Sequence, residues 1–277
     1  MQPTLFFPFI HTYGLMLAIG FYAGWYIAAR RAKAHGVDPD VIGNLVLVSI
    51  LAGVAGARVL HFALYKPPGE PLWAIFKVWE GGLVFYGGLI GALIANLAYL
   101  KWKRLDAWLV ADLMAPAIAI GQAFGRIGCF LNGCCFGGPA SPRFPLAVRF
   151  PRLLDPAGLP SGSPAFLDHV KQRWITDAAT HSLPVHPAQL YDSIGLFVIA
   201  ALLVVATPHR RRNGELLGLL FVLHGFLRLA VEFVRTDTLP VALGLKAGQL
   251  GALVALAIGA ATLAWVRRHS TPADTAR

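Results

Sequence analysis

A chain of 277 residues with 56% hydrophobic and only 14% charged side chains, and a mean hydropathy of +0.60, is too apolar for a water-soluble fold. Its net charge of +10 sits largely in short loops between apolar runs, which is how membrane topology is set, so no nucleic-acid partner is expected. Three cysteines confined to one short stretch do not make a disulfide framework.

Apolar runs near spanning length lie at about 12–29, 41–64, 83–100, 107–128, 186–207, 215–234 and 247–266. The pattern predicts an all-α membrane protein of about seven transmembrane helices, with residues 1–277 as a single integral-membrane domain. Residues 1–10 carry no Lys or Arg, so the first run lacks the basic region of a cleavable signal peptide and is expected to stay as a helix. Arg30, Arg31 and Lys33 follow the first run, and Lys101, Lys103 and Arg104 the third. Arg210, Arg211 and Arg212 follow the fifth, and Arg267 and Arg268 the seventh. All four clusters fall on one face, which the positive-inside rule makes cytoplasmic, with the amino terminus outside and the carboxyl terminus inside.

The same alternation puts three segments outside. Residues 65–80 have an apolar, Trp-bearing middle that suits an interfacial arm lying on the bilayer. Residues 137–185 are rich in Pro, Ser and charge, with a strand-like Leu146-Ala147-Val148-Arg149-Phe150, and predict a small extracytoplasmic head domain. Arg235 to about Lys246 is a short loop, and 270–277 is expected to fray.

Polar residues within or at the outer ends of the spans are the candidates for function. His11-Thr12-Tyr13-Gly14 opens the first span; a tyrosine at that depth ordinarily belongs to the interfacial belt. Gly81 to Gly91 opens the third span, where small residues let helices pack closely, and Tyr86 brings a hydroxyl that needs a polar partner. Gly125-Arg126-Ile127-Gly128-Cys129 through Asn132-Gly133-Cys134-Cys135-Phe136-Gly137 ends the fourth. An arginine near membrane depth costs about 3 kcal/mol or more unless a partner or a wet cavity receives it, so Arg126 is a candidate anion ligand. His186-Pro187-Ala188-Gln189-Leu190-Tyr191-Asp192 opens the fifth, with Gln189 and Asp192 available as polar contacts. On the sixth, Arg228 and Glu232 are four residues apart on one helical face, with Arg235 a turn on. A self-neutralised structural pair would need no ligand, but one carboxylate facing two guanidiniums leaves positive charge suited to a phosphate. His224, four residues before Arg228, is open to two readings, a packed histidine or one that titrates at a site.

Adjacent cysteines rarely supply two ligands to one tetrahedral ion, and the spacing of Cys129, Cys134 and Cys135 matches no usual zinc pattern, so no metal is expected. A Cys129–Cys134 disulfide on an oxidising outer face stays open, subject to geometry.

Taken in order, His11 through Met16, Glu80 through Gly91, Gly125 through Gly128, His186 through Tyr191 and Arg228 through Arg235 resemble the prolipoprotein diacylglyceryl transferase family of bacterial inner membranes, over nearly the whole chain. The resemblance implies transfer of a diacylglyceryl group from phosphatidylglycerol to the thiol of a lipobox cysteine in a prolipoprotein signal peptide, releasing glycerol phosphate, with no cofactor. It implies a multi-pass protein of the bacterial cell inner membrane, amid membrane lipids, with a periplasmic amino terminus. It assigns Tyr13, Tyr86, Arg126, His224, Arg228 and Glu232 to catalysis, and Arg126, Asn132, Gly137, Arg228 and Arg235 to phosphatidylglycerol. The sequence departs from the familiar pattern at Tyr86, where histidine is usual, at His224, where tyrosine is usual, and at Cys129 and Cys134, where asparagine and glutamate are usual. These departures leave room for a different lipid or thiol acceptor. A small-solute transporter, the rival of another class, would show paired inverted halves with matching broken helices, and the sequence has none.

Overall fold

The computed structural model describes residues 12–65, 71–78, 81–152, 163–235, 240–242, 244–270 and 272. His11, Glu80, most of the tail after Ser270 and parts of all three outer segments lie outside the described residues. The architecture is all-α, fitting a multi-pass membrane protein, and each apolar run forms a helix: α1 (Thr12–Ala34), α2 (Pro39–Tyr65), α3 (Phe85–Trp102), α4 (Ala107–Asn132), α6 (Ala188–Ala206), α7 (Glu215–Glu232) and α8 (Ala247–His269). A short α5 (Pro164–Lys171) lies between α4 and α6. Among the described residues, α1, α2, α4, α8 and α6 with the single turn that extends it are long and apolar enough to cross a membrane. Both remaining long helices have 18 residues, and α7 carries Glu215, Arg228 and Glu232.

The chain divides into two compact units. One contains Trp25–Leu113, and the other contains the described residues up to Gly24 and from Met114 onward. Within the first unit, α2 and α3 approach so closely that a Cβ on Gly87 would meet the Gly56 carbonyl oxygen, the small-residue contact that membrane helices use in place of hydrophobic exclusion. Arg58, buried on α2, donates through Nε to Ile75 O at 3.0 Å, through Nη2 to Ala74 O at 2.8 Å and through Nη1 to Gly81 O at 2.6 Å and Gly82 O at 3.4 Å. It thereby holds the 65–80 segment, whose described middle is a 3-10 turn (Leu72–Phe76) with Trp73 and Phe76 exposed. Pro116 interrupts α4 and removes the N–H that would bond the carbonyl four residues back. That carbonyl, Asp112 O, accepts instead from Arg31 Nη2 at 3.2 Å, and Leu113 O from Arg31 Nε at 3.3 Å.

In the second unit, Ala115 and Ala119 of α4, Ile199, Ala200 and Leu203 of α6, and Leu216 and Leu220 of α7 form one buried cluster. Helices α7 and α8 pack through Gly218 and Gly259. Between α4 and α6, Phe136, Phe150, Ala165 and Val185 form a second buried cluster of the same unit. The expected strand at 146–150 does not form: Leu146 lies in a turn, and Val148 and the following Pro151 make isolated bridges to Val185 and His181. Pro145 and Pro151 bracket it, and prolines lack the N–H a ladder needs. Ser163 caps α5, its hydroxyl accepting from Phe166 N–H at 3.4 Å, with Pro164 in the first turn. The loop after α7 forms a small antiparallel pair, β1 (Pro240–Ala242) and β2 (Leu245–Lys246), leading into α8.

Candidate functional site

The last turns of α4 and the ends of α6 and α7 bring charge together where the apolar helices finish. Arg126 Nε lies 3.1 Å from Asp192 Oδ2. Arg228 Nη1 lies 3.4 Å from the same oxygen, and its Nη2 lies 3.0 Å from Glu232 Oε2, the contact expected from the i,i+4 spacing. Asp192 and Glu232 are both buried, and the two guanidiniums are partly exposed, Arg126 the more so at 27%. Glu232 is pressed against the start of α8, where a Cβ on Gly248 would overlap its carboxylate. Arg235 is buried and bears electrostatically on Arg228 and on Cys135. Arg126, Arg228 and Arg235 set against Asp192 and Glu232 leave one positive charge, the same surplus the sequence implied. Asp192 was named from sequence only as an available polar contact; in the fold it is the bridge between Arg126 and Arg228.

Tyr13, in the first turn of α1, packs on α4 at Gly128, where a Cβ would lie 3.0 Å from its ring and 3.3 Å from Met16 Cβ. It lies within electrostatic range of Arg126 and all three cysteines. His224 lies in range of Asp192, Arg126 and Arg228. Tyr86 is the one sequence-predicted residue in the other unit. It is exposed near the start of α3, edge-on to Phe85 with centroids 5.8 Å apart.

The loop after α4 is shaped by its backbone. Gly133 has φ +73°, and a Cβ there would lie 2.9 Å from Ser163 Cβ. Cys135 has φ +58°, a left-handed conformation uncommon outside glycine and asparagine. Gly137 passes between α6 and α7, its N–H donating to His186 O at 2.9 Å, and a Cβ would lie 2.9 Å from Val234 O. Gln189, buried, donates from Nε2 to Cys134 O at 2.7 Å. Asn132 hydrogen-bonds the Cys134 side chain. All three cysteines are free thiols, half-buried, with sulfurs within 4.8 Å of one another. Hydrogen bonds from the Cys129 and Cys134 thiols, aided by Arg126 and Arg235, hold the Cys135 thiol well below its ordinary range against the opposing effect of burial.

Chemically, this is a partly exposed pair of guanidiniums pre-aimed by one carboxylate, beside a cluster of soft sulfur atoms. Such a pair recognises a phosphate in bidentate fashion. Residues 4–265 match the family model described as Prolipoprotein diacylglyceryl transferase. A Chromohalobacter salexigens protein is 34% identical over 280 residues, covering 98% of this chain and 92% of its own length. One from Burkholderia cenocepacia is 35% identical over 287 residues, covering 96% and 94%. One from Clostridium tetani is 32% identical over 240 residues, covering 86% of each. All three are named phosphatidylglycerol–prolipoprotein diacylglyceryl transferase.

Proposed function

The chain belongs to the prolipoprotein diacylglyceryl transferase family, and on that premise we propose that it moves a diacylglyceryl group from phosphatidylglycerol to the lipobox cysteine thiol of an exported precursor. The observation that carries this reading is the convergence of Arg126 and Arg228 on Asp192 Oδ2, which fixes two guanidiniums side by side where an anionic lipid head can meet them. In the reaction the acceptor sulfur attacks the glycerol carbon that bears the phosphate, the carbon–oxygen bond breaks, and glycerol phosphate departs with the electron pair. Arg126 and Arg228 stabilise the charge that grows on the departing phosphate, a preorganised term of the kind that dominates many enzymes. Glu232 orients Arg228, Arg235 supplements the positive field, and Tyr13 positions lipid or thiol. Asn132 and Gly137 shape the loop beside the lipid head. His224 accepts the thiol proton, since a neutral imidazole is a suitable base for that task, and Tyr86 supplies a phenol.

For that chemistry all seven long helices span the inner membrane, including α3 and α7, whose charges Arg228 and Glu232 are paired within the protein. The amino terminus is periplasmic and the carboxyl terminus cytoplasmic, as the basic loops require. Residues 137–185 then form a periplasmic head, and 65–80 an interfacial arm whose exposed Trp73 and Phe76 meet the lipid surface. Purified protein is incubated with phosphatidylglycerol and a lipobox peptide, and the peptide is weighed by mass spectrometry. A diacylglyceryl mass gain on its cysteine is the expected outcome, and an unmodified peptide overturns the reading.

A further inference from the structure

The reaction proposed above joins carbon to sulfur, and a thiol is a poor nucleophile until it loses its proton. Around Arg126 the fold assembles three thiols from one short segment. Adjacent cysteines on regular backbone point their side chains apart, but here Gly133 at φ +73° and Cys135 at φ +58° reverse the chain after α4. The sulfurs of Cys134 and Cys135 consequently face that of Cys129, all within 4.8 Å. Zinc–sulfur bonds of about 2.3 Å in tetrahedral geometry set sulfur–sulfur separations of about 3.8 Å, so each sulfur moves inward by at most about half an ångström to grip one ion.

Three further observations fit a cation. Among the described residues no fourth His, Cys, Asp or Glu joins the cluster, and three protein ligands with one open position is the arrangement of catalytic zinc. The thiols are half-buried, not sealed in the core, so an ion and a fourth ligand have access. Donors surround the sulfurs: the Asn132 side chain hydrogen-bonds Cys134, and the Arg126 and Arg235 guanidiniums bear on Cys135. Such outer contacts orient thiolates and offset the net negative charge that three of them leave around a divalent ion.

We propose that Cys129, Cys134 and Cys135 form a tris-thiolate site for a zinc-class divalent cation, and that its open position takes the acceptor thiol as a bound thiolate. The second half rests on the transfer reaction proposed above. Coordination deprotonates the acceptor, its proton passing to His224, and the bound sulfur attacks the glycerol carbon while the phosphate leaves toward Arg126 and Arg228. The cation changes neither charge nor oxidation state, and the product thioether, a weaker ligand than a thiolate, dissociates.

The test uses the full chain, purified in detergent with its thiols reduced, and titrated with Cd(II), whose thiolate bonds absorb in the ultraviolet, and with Zn(II) in competition. One Cd(II) per chain, displaced by Zn(II), is expected. Cys129→Ser, Cys134→Ser and Cys135→Ser should each weaken binding by tenfold or more. Absence of stoichiometric uptake overturns the site whatever the activity, as does a disulfide between two of the three thiols that persists under reductant.

Adding the lipobox peptide to the Cd(II)-loaded protein tests the open position separately. A strengthened thiolate band, absent with the Cys→Ser peptide, supports it, whereas an unchanged band while the peptide is lipidated overturns the acceptor role. For zinc-loaded protein the acid limb of the rate profile should lie at least one pH unit below that of the triple Cys→Ser variant, and coincident profiles count against metal activation. Metal uptake with a peptide-dependent band, but no lipidation under any condition, leaves the site standing and removes the transferase reading.

Discussion

Arg126 and Arg228, on different helices, are tied to a single oxygen: Asp192 Oδ2 lies 3.1 Å from one guanidinium and 3.4 Å from the other. Their spacing is therefore set by a third helix, α6, and not by either arginine's own backbone. Asp192→Asn removes the shared charge while keeping the shape. Transfer, measured as kcat/KM for the lipobox peptide, should fall about 100-fold, equivalent to about 2.7 kcal/mol of barrier. Helix content by circular dichroism should stay unchanged. Wild-type kcat/KM in this variant would show that the bridge does not position the pair.

Arg126→Ala should abolish transfer without unfolding the protein. Arg126→Lys should rescue poorly, because an ammonium cannot present two parallel donors to a phosphate. Full activity in the Ala variant would remove the phosphate role.

The segment 163–187 should be acid-sensitive through His169. This imidazole is fully buried, accepts Leu183 N–H on Nδ1 at 3.2 Å and packs edge-on to Phe136. Desolvation pushes its pKa below the usual value, with Asp168 opposing weakly. The folded state thus resists protonation that the unfolded chain accepts. The stabilisation it contributes is complete above about pH 6.5 and is lost as pH falls below that value toward the depressed folded pKa. Amide exchange across 163–183 should accelerate between pH 7.5 and 5.5 after correction for intrinsic rates. His169→Asn, which keeps an acceptor for Leu183, should flatten that dependence.

His224 and Tyr86 stand where the familiar family pattern has tyrosine and histidine. With His224 as proton acceptor, His224→Ala should lose more activity at pH 6 than at pH 9, where the acceptor thiol ionises unaided. The double exchange, Tyr86→His with His224→Tyr, should recover more activity than either single change. Additive losses across that cycle would mean the two side chains do not share a task.

Gly248→Ala would drive a methyl group into the Glu232 carboxylate. The variant should melt earlier, by about 1–3 kcal/mol of stability for an overpacked contact, and should lose transfer through displaced Arg228. Unchanged melting and activity would show that the start of α8 gives way freely.

The helices were legible because apolar runs of spanning length leave few alternatives, and each run forms one. Arg228 and Glu232 were legible because helical spacing alone puts them on one face. Asp192 was not, because its meeting with Arg126 and Arg228 depends on how three helices dock. The cysteine cluster was visible as composition but not as geometry: no spacing rule anticipates a left-handed Cys135. The tie made by Arg58 carries no sequence mark because its partners are backbone carbonyls, which every residue has.

Arg58 also separates two kinds of cation on an apolar helix. Its donors end on the carbonyls of Ala74, Ile75, Gly81 and Gly82, dipoles that bring no counter-charge to be exchanged. An incoming anion would have to pull it off four backbone groups and leave them dry. Arg126 and Arg228 end on carboxylates, so a visiting phosphate meets cations already arranged around an oxyanion and has only to trade places or share. Both kinds sit on apolar helices; the chemistry of the resting partner decides which arginine can handle cargo and which is a permanent fastener.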